Sequence, residues 1–409
     1  MKTSAYGQIV ERWDIQFLKN LCVPGGIQTG PFGSQLHQKD YLPVGTPIIT
    51  VEHLGENRIV HEDLPRISDE DKDRLSRYIM RKGDIIFSRV GSVDRRSLVR
   101  NQEDGWLFSG RCLRVRPDPK KVNPDFLSWF FGLEAFKDYI RRIAVGATMP
   151  SLNTEILSNV PIVVPPLHEQ RAIADVLGSL DDKIELNRRM NATLESMARA
   201  VFKAWFVDSE EAKGWKVGIL EELADLNPEA WSNKSAPSQV EYIDLSNTKW
   251  GTIEETIIYS WKDAPSRARR ILRPGDTILG TVRPGNGSYA LITRKGLTGS
   301  TGFAVLRPKS VAYREYVYLA TTSKENIEWF AHLADGAAYP AIRPEIVISS
   351  EIARPPDEIL EKFSTIAKPL MDKIASNDEQ SRTLAALRDA LLPRLMSGEV
   401  RVKKLEENK

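Results

Sequence analysis

Two runs in this 409-residue chain combine glycine, aspartate and arginine at similar spacing, Gly83 to Gly91 and Gly275 to Gly285. Each reads as Gly-Asp, a short strand, then an arginine (Arg89, Arg283) delivered into a glycine-containing loop whose backbone can approach another surface closely. The loops continue with Ser92, Arg95 and Arg96 in one run and with Asn286, Ser288 and Tyr289 in the other. Guanidinium, amide and hydroxyl groups of this kind bond guanine edges, adenine edges and phosphate oxygens. The loop Gly30-Pro31-Phe32-Gly33-Ser34-Gln35 adds Gly33, Ser34 and Gln35, and a basic cluster adds Arg267, Arg269 and Arg270. These are the candidate nucleic-acid contacts. The competing reading of any one arginine is a surface ion-pair partner, and Phe32 is expected to pack on its own domain.

Catalytic groups are harder to find. An adenine methyltransferase needs an Asn/Asp-Pro-Pro-aromatic tetrapeptide and a glycine-rich turn after a strand; Asn227-Pro228-Glu229 lacks the second proline and the aromatic, and Gly25-Gly26 to Gly30 lacks the strand-turn-helix setting. No GxxxxGK[ST] run offers a triphosphate site. Asp63, Glu70 and Lys72 resemble a nuclease set only within a stretch so charged that such spacing arises by chance. His37, His53, His61, His168 and His332 show no ligand spacing, and Cys22 and Cys112 lie 90 positions apart, so no metal site and no disulfide framework is expected. Both cysteines are expected to be buried thiols. No catalytic residue and no cofactor is assigned to the chain.

The composition, 27% charged and 41% hydrophobic, suits a globular protein of several domains. No apolar run reaches the roughly 18 residues of a membrane helix, and Glu11, Arg12 and Asp14 stand where a signal peptide would be apolar, so a cytoplasmic protein without a membrane partner is expected. The net charge of +2 is modular: residues 1–150 carry 23 basic and 19 acidic side chains, 151–212 carry 6 and 10, 213–346 carry 17 and 15, and 347–409 carry 11 and 11. The basic blocks suit a polyanion and the others suit protein.

An internal repeat organises these residues. At an offset of 190, Ala147-Thr148-Met149-Pro150 returns as Ala337-Ala338-Tyr339-Pro340, Pro165-Pro166 as Pro355-Pro356, and Asp182-Lys183-Ile184 as Asp372-Lys373-Ile374. Upstream, with small drifts, Arg81 to Ile86 matches Arg273 to Ile278, and Arg89-Val90-Gly91 matches Arg283-Pro284-Gly285. Strands are expected at 47–51, 84–88 and 112–115, then at 240–245, 276–280 and 303–306; a helix at 123–143 and another around 313–333 close the two blocks. After each Pro-Pro the 4,3 spacing of a heptad begins, with Ile173, Leu177, Leu180, Ile184, Asn187, Leu194 and Val201 in one copy and Ile374, Asn377, Leu384 and Leu391 in the other. Asn187 and Asn377 are expected to fix register, Pro369 to kink the second helix or delay its regular part, and Gly398 to end it. Asp175, Asp181, Asp182, Glu185 and Glu195 cannot favour DNA and are assigned to a partner-binding face.

From Val164 to Ala174, through Pro165-Pro166-Leu167-His168-Glu169-Gln170-Arg171-Ala172-Ile173, and again from Leu387 to Gly398, the sequence resembles the specificity subunit of type I restriction-modification systems. Copy two departs from the first run, with Asp357-Glu358-Ile359 in place of Leu167-His168-Glu169, which bears on whether both helices bind partners equally. The resemblance implies an α+β fold of two tandem target-recognition domains, 1–154 and 213–346, and two helical spacers, 155–212 and 347–409, that pair as an antiparallel coiled coil in a pseudo-twofold repeat. It implies a non-catalytic subunit that binds an asymmetric, bipartite double-stranded DNA target. Its partners would be two methyltransferase subunits and the restriction subunits, which would hold S-adenosylmethionine, ATP and Mg. Positions 173–205 as a helix span roughly 50 Å, more than one ~34 Å duplex turn, as a spacer between half-sites requires. A related two-subunit restriction-methylation enzyme is the nearest alternative; a fused methyltransferase or nuclease, or a repeat-built scaffold that never touches DNA, are the rivals from other classes.

Overall fold

The computed structural model describes residues 1–402 apart from Phe32, Ser34, Ala147 and Ala338. It forms two compact units, Met1–Glu185 completed by the chain from Arg382, and Leu186–Ser381. Strand-rich blocks and two long helices, Leu167–Phe206 and Asp357–Ser397, give the expected α+β organisation. The sequence divides into four blocks, whereas contacts divide each long helix near its middle and give one half to each unit.

In the first unit, Cys22–Thr29, Cys112–Pro117, Ile85–Ser88 and Arg96–Leu98 form an antiparallel sheet in that order. Side chains alternate across a strand, and here both faces are covered. Ile85 and Phe87 join Leu113 and Val115 in the main core, while Ile86 joins Cys112 in a second cluster with Ile48, Ile49 and Phe108. Cys22 and Cys112 are buried free thiols, and burial pushes both up to about 12.

The second unit repeats the plan. Ala224–Leu226, Phe303–Pro308, Thr277–Gly280 and Tyr289–Leu291 make the equivalent antiparallel sheet. Leu279, Ala304 and Leu306 face the main core, and Ile278, Phe303 and Val305 face a second cluster. The repeat extends further than its sequence suggests. Asp14–Phe17 pairs with Pro161–Val164 as Lys216–Ile219 pairs with Glu351–Arg354. The next amides close the same bond, Leu18 to the Val160 carbonyl (2.9 Å) and Leu220 to the Ser350 carbonyl (3.1 Å).

Each single helix expected to close a block is two. Pro124–Phe130 and Glu134–Ile143 are separated by Gly132, where a Cβ would lie 2.3 Å from Nη2 of Arg96. Arg314–Thr321 and Lys324–His332 are separated at Ser323, whose hydroxyl caps the later helix by accepting from the Asn326 amide. Apolar spacing runs through both breaks, which is why it reads as one helix. Conversely, the second long helix starts at Asp357 and runs unbroken past Pro369, so its regular part is not delayed to that residue. It ends before Gly398, which holds a φ of +74° and lies where a Cβ would meet Val10 at 2.4 Å.

The helix halves pair antiparallel. In the first unit Asp181 meets Arg388 at 3.1 Å; in the second, Nδ2 of Asn187 donates to the Asn377 carbonyl (3.3 Å), Gln380 (3.0 Å) and Ser381 (3.2 Å), while Nδ2 of Asn377 donates to Asn191 (2.8 Å). Residue numbers fall on one helix as they rise on the other. Both seam asparagines are fully buried, and their amide nitrogens find these acceptors only at this register. Ile173 and Leu177 are buried against the first block together with Leu395 and Met396. Val201 and Ile374 are half-buried against the second block's core and Leu391 against the first; Leu180, Ile184, Leu194 and Leu384 are half-buried along the seam, which two helices alone cannot enclose.

The first unit is complete only with the segment after Arg382, whose Leu395 and Met396 correspond by the 190 offset to Trp205 and Phe206 of the first helix. A fragment ending near Asp208 leaves that place empty, at a cost of about 1.5–3 kcal/mol for each large apolar side chain exposed. It should form a twofold dimer in which each copy's helix end fills the other's unit. Light scattering checks this; a soluble monomer would show that the copies are not interchangeable.

Candidate nucleic-acid interface

The Gly-Asp runs are built around a buried carboxylate. Asp84 accepts the Arg81 amide (2.8 Å) and a two-pronged bond from Arg116 (2.7 Å each); Asp276 accepts the Arg273 amide (2.8 Å) and the same pair from Arg307 (2.8 Å each). The carboxylate ties the turn before the strand to the neighbouring strand and aims the strand at the loop beyond. In the second unit Glu229 adds a further acceptor for Arg273 and Arg307, and these hydrogen bonds, from Arg273 first, hold its carboxyl at about 2.

The strands end in equivalent junctions. In the first unit the Gly91 amide donates to the Pro150 carbonyl and the Leu152 amide to the Arg89 carbonyl, both at 2.9 Å. In the second, the Arg283 amide donates to the Pro340 carbonyl (2.7 Å) and the Ile342 amide to the Thr281 carbonyl (2.9 Å). Arg89 therefore matches Thr281, and Gly91 matches Arg283, which corrects the alignment of the two arginines made from sequence. Backbone geometry agrees: Gly91 and Arg283 are both left-handed, at φ +80° and +48°. A non-glycine residue there costs about 1 kcal/mol.

Around the first junction, Nη1 of half-buried Arg89 donates to the Gly110 carbonyl (3.2 Å), and the Gly30 amide donates to the Cys112 carbonyl (3.1 Å). The structure thus brings the Gly30 loop, the Arg89 loop and the turn at Ser109 to Arg111 together. Ser92 and Arg95 are exposed at this edge, with Arg95 also bonded to the Leu54 carbonyl. Gly33 and Gln35 are exposed, Gln35 accepting from Tyr78 (2.8 Å) and Arg74 (2.9 Å); Ser34 lies outside the described residues. In the second unit Arg283 and Asn286 are exposed on the turn Pro284–Asn286. The edge strand Ala268–Ile271 carries Arg269, stacked on Trp261 at 4.5 Å, and half-buried Arg270; exposed Arg267 precedes it.

Three expected contacts are corrected. Arg96 is fully buried and bonded to Glu56 (2.6 Å) and the Ser128 carbonyl (3.2 Å), so it holds the domain together. Ser288 is buried and donates to the Leu245 carbonyl (3.1 Å). Tyr289 packs inside the core beside Arg199 and Tyr318. Arg96 and Tyr289 open the buried strands Arg96–Leu98 and Tyr289–Leu291, and Ser288 lies immediately before the second.

The acidic face also divides. Asp181 is buried among Arg58 (2.7 Å), Arg388 (3.1 Å) and Arg100 (3.5 Å), and Glu195 is held by Arg199 (2.6 Å) and Tyr318 (3.2 Å), so neither is a partner-facing acid. Asp182 is exposed but shares Arg58 and Arg100; Glu185 is half-buried; Asp175 is exposed. The arginine partners of Asp181 lie far away in sequence, which hid that pairing, whereas Arg199 stands one helical turn from Glu195.

The sequence also gave no role to three exposed side chains, Met149, Tyr339 and Trp250. Met149 and Tyr339 sit in the repeated Gly-to-Pro tips that bridge back to the junctions. Their type, large and apolar inside a turn, was the available signal. Among the described residues, no group of three or more His, Cys, Asp or Glu is placed to hold a metal ion, and no helix is long and apolar enough to cross a membrane.

Duplicated recognition-type loops on duplicated frameworks, joined by paired helices, define a two-block binding protein. Residues 17–196 match the family model for the type I restriction modification DNA specificity domain. The chain is 24% identical to the type I restriction enzyme MjaIX specificity subunit of Methanocaldococcus jannaschii, over 99% of this chain and 97% of that one. It is 23% identical to the HindI specificity subunit of Haemophilus influenzae, over 84% and 92%. The crystal structure of a type I system S subunit from M. genitalium shares the fold, with a TM-score of 0.59 at 14% identity over 95% and 98% of the two chains. The chain is thus similar to a type I restriction enzyme specificity subunit over 99% of its length.

Two expectations test the framework. Arg96→Ala should lower unfolding free energy by about 2–4 kcal/mol in urea, since it opens a cavity and removes a buried cation's bonds, and should leave any base preference unchanged. For Glu229, the carboxyl lies below its ordinary value of 4.5, so its pairing stabilises the fold above that pH and is lost as pH falls toward 2. Glu229→Gln should flatten the acid limb of the stability profile in that window; an unchanged limb would place the acid sensitivity elsewhere.

Proposed function

We infer that the protein is the specificity subunit of a type I restriction-modification enzyme. It selects a bipartite DNA sequence and brings adenine methyltransferase subunits to it. The observation that carries this reading is the duplication itself: two blocks with the same buried Asp–Arg anchor and the same junction bonds, but different loop side chains. A shared framework with different readers gives two different half-sites, hence an asymmetric target. Arg89, Ser92 and Arg95 with the Gly33–Gln35 loop would read one half-site; Arg283, Asn286 and the Arg267–Arg270 strand would read the other.

The chain supplies no catalytic group of its own in this reading. Two methyltransferase subunits hold S-adenosylmethionine, and restriction subunits hold ATP and Mg, in a cytoplasmic assembly. Asp175 and its exposed neighbours on the first long helix are the acids left for a protein partner.

Co-expression with a type I methyltransferase subunit, followed by sequencing of methylated adenines, tests the reading. The complex should mark one split, asymmetric sequence. Arg89→Ala should cost about 1–3 kcal/mol and blur only the first half-site. Asp175→Lys should weaken co-purification of the methyltransferase and leave the sequence unchanged. Methylation or cleavage by the chain alone, or an assembly that ignores DNA sequence, would overturn the reading.

A further inference from the structure

Among the described residues of the second unit, two side chains occupy left-handed backbone without being glycine, asparagine or aspartate: Trp250 at φ +46° and Arg283 at φ +48°. A bulky residue there is an outlier, and such strain concentrates at functional positions. They meet at one exposed turn, which Arg283 opens and on which Trp250, from the turn between Thr248–Lys249 and Thr252–Ile253, packs. The Trp250 amide donates to the Gly287 carbonyl (2.7 Å), and its indole rests on the turn so closely that a Cβ at Gly287 would lie 2.5 Å from the ring. At the other end of the turn, the Arg283 guanidinium lies over the ring of Tyr339, 4.9 Å from its centroid. Tyr339 is 72% exposed, far more than an aromatic ring needs for packing, and Asn286 is exposed between.

We propose that Tyr339, backed by Arg283, is a DNA-contacting residue that sets part of the specificity of the second block. The proposal rests on the function inferred above. The tip bearing Tyr339 is bonded to the Arg283 junction through the Pro340 carbonyl at 2.7 Å, so a duplex that meets the loop meets the tip. The ring offers one face to a deoxyribose or a thymine methyl and its hydroxyl to a phosphate, while the guanidinium beneath can reach a phosphate or a guanine edge. The first block places Met149, 58% exposed, at the same tip and Gly91 in place of Arg283. One tip is therefore apolar and adaptable and the other a rigid aromatic on a cation, a difference suited to reading different half-sites.

The test uses the full chain in complex with its methyltransferase subunit. Methylated adenines of the wild-type complex first give the target; without a bipartite target the functional reading itself fails, before any variant is compared. Duplex containing that target is then titrated. Tyr339→Ala should weaken binding about tenfold or more and relax preference in the second half-site alone, while Tyr339→Phe keeps most of the affinity. Arg283→Gly, which retains the left-handed backbone, should weaken binding and shallow its salt dependence. Unchanged DNA binding by Tyr339→Ala, or loss of methyltransferase co-purification with normal DNA binding by the residual complex, would overturn the proposal and mark the tip as a protein contact.

Discussion

A helix of forty residues with an apolar seam is unstable in water unless that seam is covered, and a single partner helix covers only part of it. The remaining cover comes from the blocks, and this constraint sets the architecture. Each compact unit takes half of its own long helix and half of the other. Ile173 and Leu177 are buried with Leu395 and Met396, and Phe206 is buried with Leu360, Phe363 and Met371, because in each case two helix ends and a block close one core. The seam stays half-exposed at Leu180, Ile184 and Leu384, and the buried Asn187–Asn377 contact fixes the register that apolar packing alone would leave open.

Within each unit a second constraint aims the loops. A carboxylate as buried as Asp84 or Asp276 is tolerable only with its bonds complete, and Arg116 and Arg307 complete them with two parallel bonds each. The anchor fixes the strand, the strand fixes the junction, and the loop side chains beyond are free to differ. Stability and recognition are thereby separated in sequence by only a few residues. Arg96 and Ser288 show how short that distance is: each lies one or two positions from an exposed loop residue and belongs wholly to the core.

That proximity marks what the sequence could reveal. Periodicity located the strands, the seam and the two asparagines, because burial on a repeating geometry leaves a repeating pattern. It could not separate Arg95 from Arg96, since strand alternation starts at a boundary that composition does not mark. Nor could it identify Asp181 as buried, because Arg58, Arg100 and Arg388 arrive from distant segments. The offset of two between Arg89 and its expected counterpart arose for a similar reason. Matching arginine to arginine preserves residue type, whereas the chain preserves the left-handed position, which glycine fills in one copy and arginine in the other.

The most recognisable motif has its clearest physical role inside the fold. Glu169 accepts from Arg12 (2.7 Å) and the Trp13 indole (3.3 Å), pinning the start of the first long helix to the turn before the strand Asp14–Phe17. Buried Gln170 donates to the Pro165 carbonyl and accepts the Asn123 amide, both at 2.7 Å, and Asn123 in turn caps the helix Pro124–Phe130. In the second copy Ile359 and Leu360 take those places, and Leu360 is buried with Phe206 and Phe363. The pinning is moved to Asp357, which binds Tyr313 (2.9 Å) and Arg354 (2.8 Å). Departure from the motif is thus compensated within the same unit by exchanging a polar staple for an apolar one. It carries no information on whether the two helices differ toward partners, which the exposed faces alone decide.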